Sequence, residues 1–262
     1  MEKSKLNTLL KRIISALVLI PVTIWCLYAG YPYVQVFALI VGTLFSWEWA
    51  NMVPNKRSSF YTALYTAVLA VAVMLGSWEA YFTVLAGGII LAFCKSRDEQ
   101  RRRLLLLGVP YISIGIGSII WFYELVGYLA TFWFLLTVWC VDIGGYVVGS
   151  TVKGPKLAPK ISPNKTWSGL LGGVLFSVIA SIIFCHFVGA SNHNLFYGIL
   201  AAIIAVVAQI GDLVESHIKR TLELKDSSNL IPGHGGVFDR IDGLVFAAPL
   251  VYILFKYALF LF

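Results

Sequence analysis

The stretch SGLLGGVLFSVIASIIFCHFV (168–188) contains no Asp, Glu, Lys, Arg or Pro. It is as long as the ~20 residues a helix needs to cross a ~30 Å hydrocarbon core. Inside that core no water bonds to the backbone, so the segment must be a helix, which satisfies its own N–H and C=O groups. Similar runs recur on both sides of it, at 13–30, 33–52, 60–76, 80–94, 104–121, 128–148, 195–215 and 243–262. Hydrophobic residues make up 59% of the chain and charged residues 13%, against about 25% charged in a soluble domain. The fold expected is all-α, a polytopic transmembrane helical bundle of about nine spans.

The basic residues orient this bundle. With the N-terminus cytoplasmic, Lys3, Lys5, Lys11, Arg12, Lys56, Arg57, Lys95, Arg97 and Arg101–Arg103 fall on cytoplasmic segments. So do Lys153, Lys156, Lys160, Lys165, Lys219, Arg220, Lys225 and Arg240. Of the 20 basic residues only Lys256, inside the last run, is an exception, and the outer hairpins around Gly30, Ser77, Tyr123 and Asn192 have none. That is the positive-inside pattern. The net charge of +7 therefore serves topology, and no nucleic-acid partner is expected. The basic N-terminus resembles a signal peptide, but the apolar run lacks a small-x-small cleavage site and reads as an uncleaved first helix. Cys26, Cys94, Cys140 and Cys185 show no ligand or disulfide spacing and read as small packing residues.

Two cytoplasmic loops are longer than the 2–8 residues that helix connections need. One is GSTVKGPKLAPKISPNKTWSG (149–169); the other runs from Gly211 to Asp242. The second opens on a continuation of the eighth helix, where Asp212, Glu215, Ser216 and Lys219 share a face. S-S-N and P-G then break the helix, and GHGG offers backbone N–H groups to an anion. In FDRID, Asp239 and Asp242 lie one turn apart. Carboxylates beside substrate phosphates are how Mg²⁺ is usually held, and Lys or Arg nearby neutralises charge developing on phosphate. Asp212, Asp239 and Asp242 supply the carboxylates here; Lys219, Arg220, Lys225 and Arg240 supply the cations. The plain alternative is a solvated loop with surface ion pairs. The chain thus divides into N-terminal helices (1–127) and a C-terminal catalytic region (128–262) carrying loops 149–168 and 212–242.

The stretch SHIKRTLELKDSSNLIPGHGGVFDRID (216–242) resembles the signature of the phosphatidate cytidylyltransferases. The matching positions are Ser216, Lys219, Arg220, Lys225, Asp226, His234, Gly235, Gly236, Asp239, Arg240 and Asp242. DIGGYVVG (142–149), LAPKISPNKTWSG (157–169) and QIGD (209–212) are similar to the family as well. The N-terminal runs resemble it in hydropathy and in the Trp47-Glu48 pair. Two positions depart from the pattern: Ser150, where a basic residue is expected, and Ser168, where an acidic one is common.

The resemblance implies transfer of CMP from CTP to phosphatidate, giving CDP-diacylglycerol and pyrophosphate. It implies Asp212, Lys219, Arg220, Asp239 and Asp242 as catalytic residues. Lys165, Ser216, Lys225, Asp226, His234, Gly235, Gly236 and Arg240 would bind substrate. Asp142, Asp212, Asp239 and Asp242 would hold Mg²⁺, with room in the scheme for a second ion. CTP is soluble and phosphatidate lies in the bilayer, so the site is expected at the cytoplasmic face of a bacterial inner membrane. Membrane lipids surround such a chain, and its apolar faces permit a homodimer. Two rivals differ in class. A CTP-dependent polyprenol-type kinase would release CDP, and a transporter would want polar residues at the midplane and repeated halves. Glu48, in the last turn of the second run, reads equally as a residue reaching for the interface or as one with a role.

Overall fold

A computed structural model describes residues 2–74, 78–96, 99–231 and 235–258. In chain order these form α1 (Glu2–Ala29), α2 (Tyr33–Met52), α3 (Ser58–Met74), α4 (Trp78–Lys95) and α5 (Glu99–Thr151). A hairpin of β1 (Lys156–Ala158) and β2 (Ser162–Thr166) follows, then α6 (Trp167–Phe187), α7 (Asn194–Thr221) and α8 (Phe238–Ala258). A 3-10 turn at Ser191–His193 leads into α7.

The quoted run forms α6, which is built inside out. Gly169, Gly172, Gly173, Ser177, Ser181 and Cys185 are buried, whereas Leu171, Leu175, Ile179, Ile183 and Phe187 are 46–82% exposed. Large apolar residues outside and small ones inside are what a lipid-facing helix requires. The small face lets α6 lie directly on α5: a Cβ at Gly172 would run into Val148 and meet the Gly144 carbonyl at 2.9 Å.

The expected runs correspond to helices with two adjustments. The fifth and sixth fall in α5, whose two halves are separated by non-helical backbone at Gly127 (φ 78°, ψ −172°). The eighth continues past its apolar part to Thr221, carrying Asp212 through Lys219 beyond the run. In α8 the first turn, Phe238–Asp242, precedes the ninth run, whose last residues (259–262) lie outside the described residues. Arg97, Ser77 and His234 lie outside them as well. Among the described residues, four segments are long and apolar enough to cross a membrane: Tyr33–Met52, Arg101–Thr151, Trp167–Phe187 and Ser191–Thr221. Leu17–Ala29, Ser58–Met74 and Tyr81–Lys95 are shorter apolar helices.

The helical expectation gains one exception, the antiparallel hairpin pairing Lys156 with Thr166 and Ala158 with Ser162. Thr166 then caps α6, accepting from Gly169 N at 3.1 Å. Of the cysteines, Cys26 and Cys185 are buried packers, while Cys94 is exposed.

At the centre α5 packs against α6, α8, α3 and α2. Near one end of this core, Phe45 and Trp49 of α2, Tyr111 of α5 and Phe238 of α8 join in one aromatic cluster with centroids 4.8–6.1 Å apart. The polar residues discussed next lie beside this cluster.

Candidate active site

The site forms where α7 and α8 meet the hairpin and the end of α5. Close approach of α7 and α8 comes first. A Cβ at Gly211 would meet Phe246 Cβ at 2.6 Å and the Asp242 carbonyl at 3.0 Å, and one at Gly243 would meet the Ala208 carbonyl at 3.0 Å. Only glycine allows the two helices this contact. It brings Asp212 and Glu215 of α7 against Asp242 of α8, with one oxygen of each within 4.8 Å of the others. Three carboxylates this close repel one another, and a cation relieves that repulsion.

Lys165 of β2 places its ammonium on the Asp212 carboxylate, and Ser216 Oγ lies 3.4 Å from the same carboxylate. Asp142, on the second half of α5, lies within electrostatic reach of Asp212, Lys165, Arg240 and Asp242. The hairpin is held at its base by Ser168, whose hydroxyl bonds the Lys153 carbonyl and lies 3.0 Å from Thr166 Oγ1. Ser150 turns its hydroxyl back to the Val147 carbonyl (3.2 Å). Both departures from the family pattern thus bond to local structure.

Lys219 joins the two helices. Its Nζ is 2.8 Å from Glu215 Oε1 and 2.7 Å from Asp239 Oδ1, with the three side chains only 3–11% exposed. Asp239 also accepts from Gly236 N (2.8 Å) and Ser227 N (3.1 Å), and lies 3.1 Å from Ser227 Oγ. Burial alone would raise the Asp239 carboxyl. The hydrogen bonds of Glu215, Lys219 and Gly236 N, with the charge on Lys219, outweigh it and hold the carboxyl down at about 2.

The structure therefore brings Asp212, Asp242, Lys165, Ser216, Lys219, Asp239 and Gly236 into one neighbourhood. It does not put Asp239 in the carboxylate cluster; that place is taken by Glu215, which the sequence had put on the same helix face but outside the ligand set. Gly235 adopts φ +84° and its carbonyl accepts from Ile231 N at 2.8 Å, closing the loop. Arg220 directs its guanidinium to the Leu224 carbonyl (3.1 Å). Lys225, Asp226 and Arg240 are exposed.

Glu48 is the other residue that the sequence left undecided. It is 1% exposed and accepts from Val237 N (2.8 Å), Phe238 N (2.7 Å) and Ser228 Oγ (2.6 Å). Ser227 Oγ, 3.2 Å away, is the fourth donor in reach. A carboxylate seeking the interface would be solvated; this one is enclosed. Its partners are remote in the chain, so no local spacing could have disclosed them.

Hard oxygen donors with Lys165 and Lys219 beside them make up a site suited to a divalent cation and phosphates. The glycine loop predicts backbone N–H groups offered to an anion, but those of Ser227, Gly236, Val237 and Phe238 are taken by the protein's own carboxylates, Asp239 and Glu48. The family model of the "Cytidylyltransferase family" matches residues 10–258. The chain is 34% identical over 260 residues to the phosphatidate cytidylyltransferase of Brucella suis biovar 1 (strain 1330), covering 95% of this chain and 93% of that one. It is 33% identical to the phosphatidate cytidylyltransferase of Staphylococcus haemolyticus (strain JCSC1435), covering 94% and 96%. For that of Rickettsia felis (strain ATCC VR-1525 / URRWXCal2) the identity is 30%, covering 97% and 95%. With a family match over nearly its whole length and relatives at this identity, the chain belongs to the cytidylyltransferase family.

Proposed function

We propose that this chain transfers CMP from CTP to phosphatidate, forming CDP-diacylglycerol and pyrophosphate. The observation that carries the reading is the Asp212–Glu215–Asp242 cluster with Lys165 and Lys219 beside it, in a member of this family. A phosphate oxygen of phosphatidate attacks the α-phosphorus of CTP. The new P–O bond forms as the bond from that phosphorus to the β-phosphate oxygen breaks, and the bonding electrons leave with pyrophosphate. A phosphate monoester is already anionic near neutral pH, so no general base is needed.

The donor set fits Mg²⁺. Asp212, Glu215 and Asp242 would hold it, with Asp142, which feels the charge of Asp212, as a further ligand or the ligand of a second ion. Bound there, the ion supplies charge neutralisation at the transferring phosphoryl group. Lys165 binds and orients the CTP phosphates from the hairpin side. Lys219 holds Glu215 and Asp239 in place and adds positive charge from the loop side. Gly235, Gly236 and His234 shape the nucleotide-phosphate pocket, and Ser216, Arg220, Lys225, Asp226 and Arg240 border the substrates. Asp239, with its oxygens taken by Lys219, Ser227 and Gly236, organises this loop; as a direct ligand it comes after Glu215.

The proposed topology is nine crossings with the N-terminus and the site on the cytoplasmic side of a bacterial inner membrane, and the chain is able to pair as a homodimer. The distribution of Lys and Arg supports it, as do the bacterial sources of the relatives. The test is pyrophosphate release from CTP by purified protein in detergent, with and without phosphatidate and Mg²⁺. Release that requires both is expected. CDP in place of pyrophosphate would replace this reading with the lipid-kinase one.

A further inference from the structure

We propose that Glu48, from the N-terminal helices, is a positioning residue that sets the loop segments around Ser227 and Gly236 and, through Ser227 and Asp239, the Lys219 ammonium. The inference rests on the nucleotidyl-transfer reading above. Its basis is geometric. Val237 N and Phe238 N are free donors at the start of α8, where a helix attracts an anion. In this chain a protein carboxylate occupies that seat: Glu48 Oε1 takes Val237 N and Ser228 Oγ, and Oε2 takes Phe238 N with Ser227 Oγ in reach.

Ser227 is the link. Its hydroxyl lies 3.2 Å from Glu48 Oε2 and 3.1 Å from Asp239 Oδ2, so one proton serves two carboxylates. The backbone N–H of Ser227 holds Asp239 from the same side. Asp239 in turn holds Lys219, and Lys219 holds Glu215. An unbroken chain of polar contacts therefore runs from α2 to the carboxylate cluster. The loop is tight around it: a Cβ at Gly236 would run into Ser227 Oγ and come within 2.5 Å of Glu48 Oε1. The aromatic contacts of Phe45 and Trp49 with Phe238 fix the depth of α2 against α8 on either side of Glu48.

Glutamine cannot replace Glu48 silently. Whichever way its amide is turned, an NH₂ group faces Val237 N–H or Phe238 N–H. The experiment uses the full chain in detergent with Mg²⁺, measuring pyrophosphate release over a range of CTP at saturating phosphatidate. The melting midpoint with and without CTP is read in parallel. Losing a charged hydrogen bond in the loop is expected to raise KM for CTP about tenfold in Glu48→Gln, and to shrink the CTP-induced rise in melting midpoint.

Ser227→Ala, which cuts the link but leaves both carboxylates on backbone donors, is expected to shift KM in the same direction by less. The double variant should be no worse than Glu48→Gln alone, because both act along one path. Wild-type KM in Glu48→Gln would overturn the proposal, as would activity that falls only with the folded fraction or effects that add in the double variant. Should Glu48→Gln not fold, Ser227→Ala decides alone, and wild-type KM there is the overturning result. If wild-type protein releases no pyrophosphate, the transfer reading fails, and the CTP-induced midpoint shift still tests the positioning role.

Discussion

Lys219 Nζ sits 2.7 Å from Asp239 Oδ1, and this one bond ties the last turn of α7 to the first turn of α8. The same ammonium holds Glu215 at 2.8 Å. Both acidic side chains are nearly enclosed, so this ammonium is their shared partner where little water reaches.

Replacing Lys219 with Met should therefore be costly. Removing one partner of a buried ion pair destabilises by about 3–5 kcal/mol, and here Asp239 and Glu215 both lose the ammonium that holds them. A large fall in the melting midpoint is expected, together with loss of turnover. Lys219→Arg, which keeps the charge, should fall less in stability. Equal midpoints for wild type and Lys219→Met would contradict the burial described.

Acid should weaken the fold through Asp239. Its carboxyl lies at about 2 in the folded chain, below the ~3.9 of an unfolded Asp. A depressed pKa contributes stability above the unfolded value, and that contribution disappears as pH falls from about 4 to about 2. Its size is roughly 2 kcal/mol. Melting midpoints measured across that range should drop more steeply for wild type than for Asp239→Asn.

Mg²⁺ should raise the melting midpoint of the wild-type protein, since the carboxylates of Asp212, Glu215 and Asp242 lie close enough to share a cation. Glu215→Gln and Asp242→Asn should lose most of that response. A wild-type midpoint indifferent to Mg²⁺ would remove the metal assignment from this cluster.

Gly211→Ala tests the helix spacing. The new methyl would press on Phe246 and the Asp242 carbonyl, and overpacking of this kind costs about 1–3 kcal/mol. The Mg²⁺ concentration for half-maximal turnover is expected to rise, because Asp212 and Asp242 move apart. An unchanged value with a lowered midpoint would mean that the contact serves packing alone.

Much of this was legible in the sequence for a physical reason. Apolar length dictates helices in lipid, so the positions of α2, α6 and α7 follow from hydropathy alone. Asp212 and Asp242 were legible because each sits at the end of an apolar run, where a charge has to be accounted for. Glu215 was half legible: its turn spacing from Asp212 put it on the right face, but which carboxylates converge depends on how α7 packs on α8. The hairpin was not legible, since SPNKT (162–166) has no alternating apolar pattern. Glu48 was least legible of all. Its donors at Val237 and Phe238 are 189 and 190 residues away, and a lone acid in an apolar helix announces neither its partners nor their number.

The contact at Gly211 and Gly243 bears on how such an enzyme tolerates its surroundings. Bilayers of different thickness act on embedded helices by tilting them and sliding them past one another. Side chains between helices yield to that movement, because a rotamer can change. Where backbone rests closely on backbone there is little to rearrange, and van der Waals contact sets how near the helices come. Asp212 and Asp242 flank that contact directly, so the pair sits where the two helices have least freedom to shift against each other.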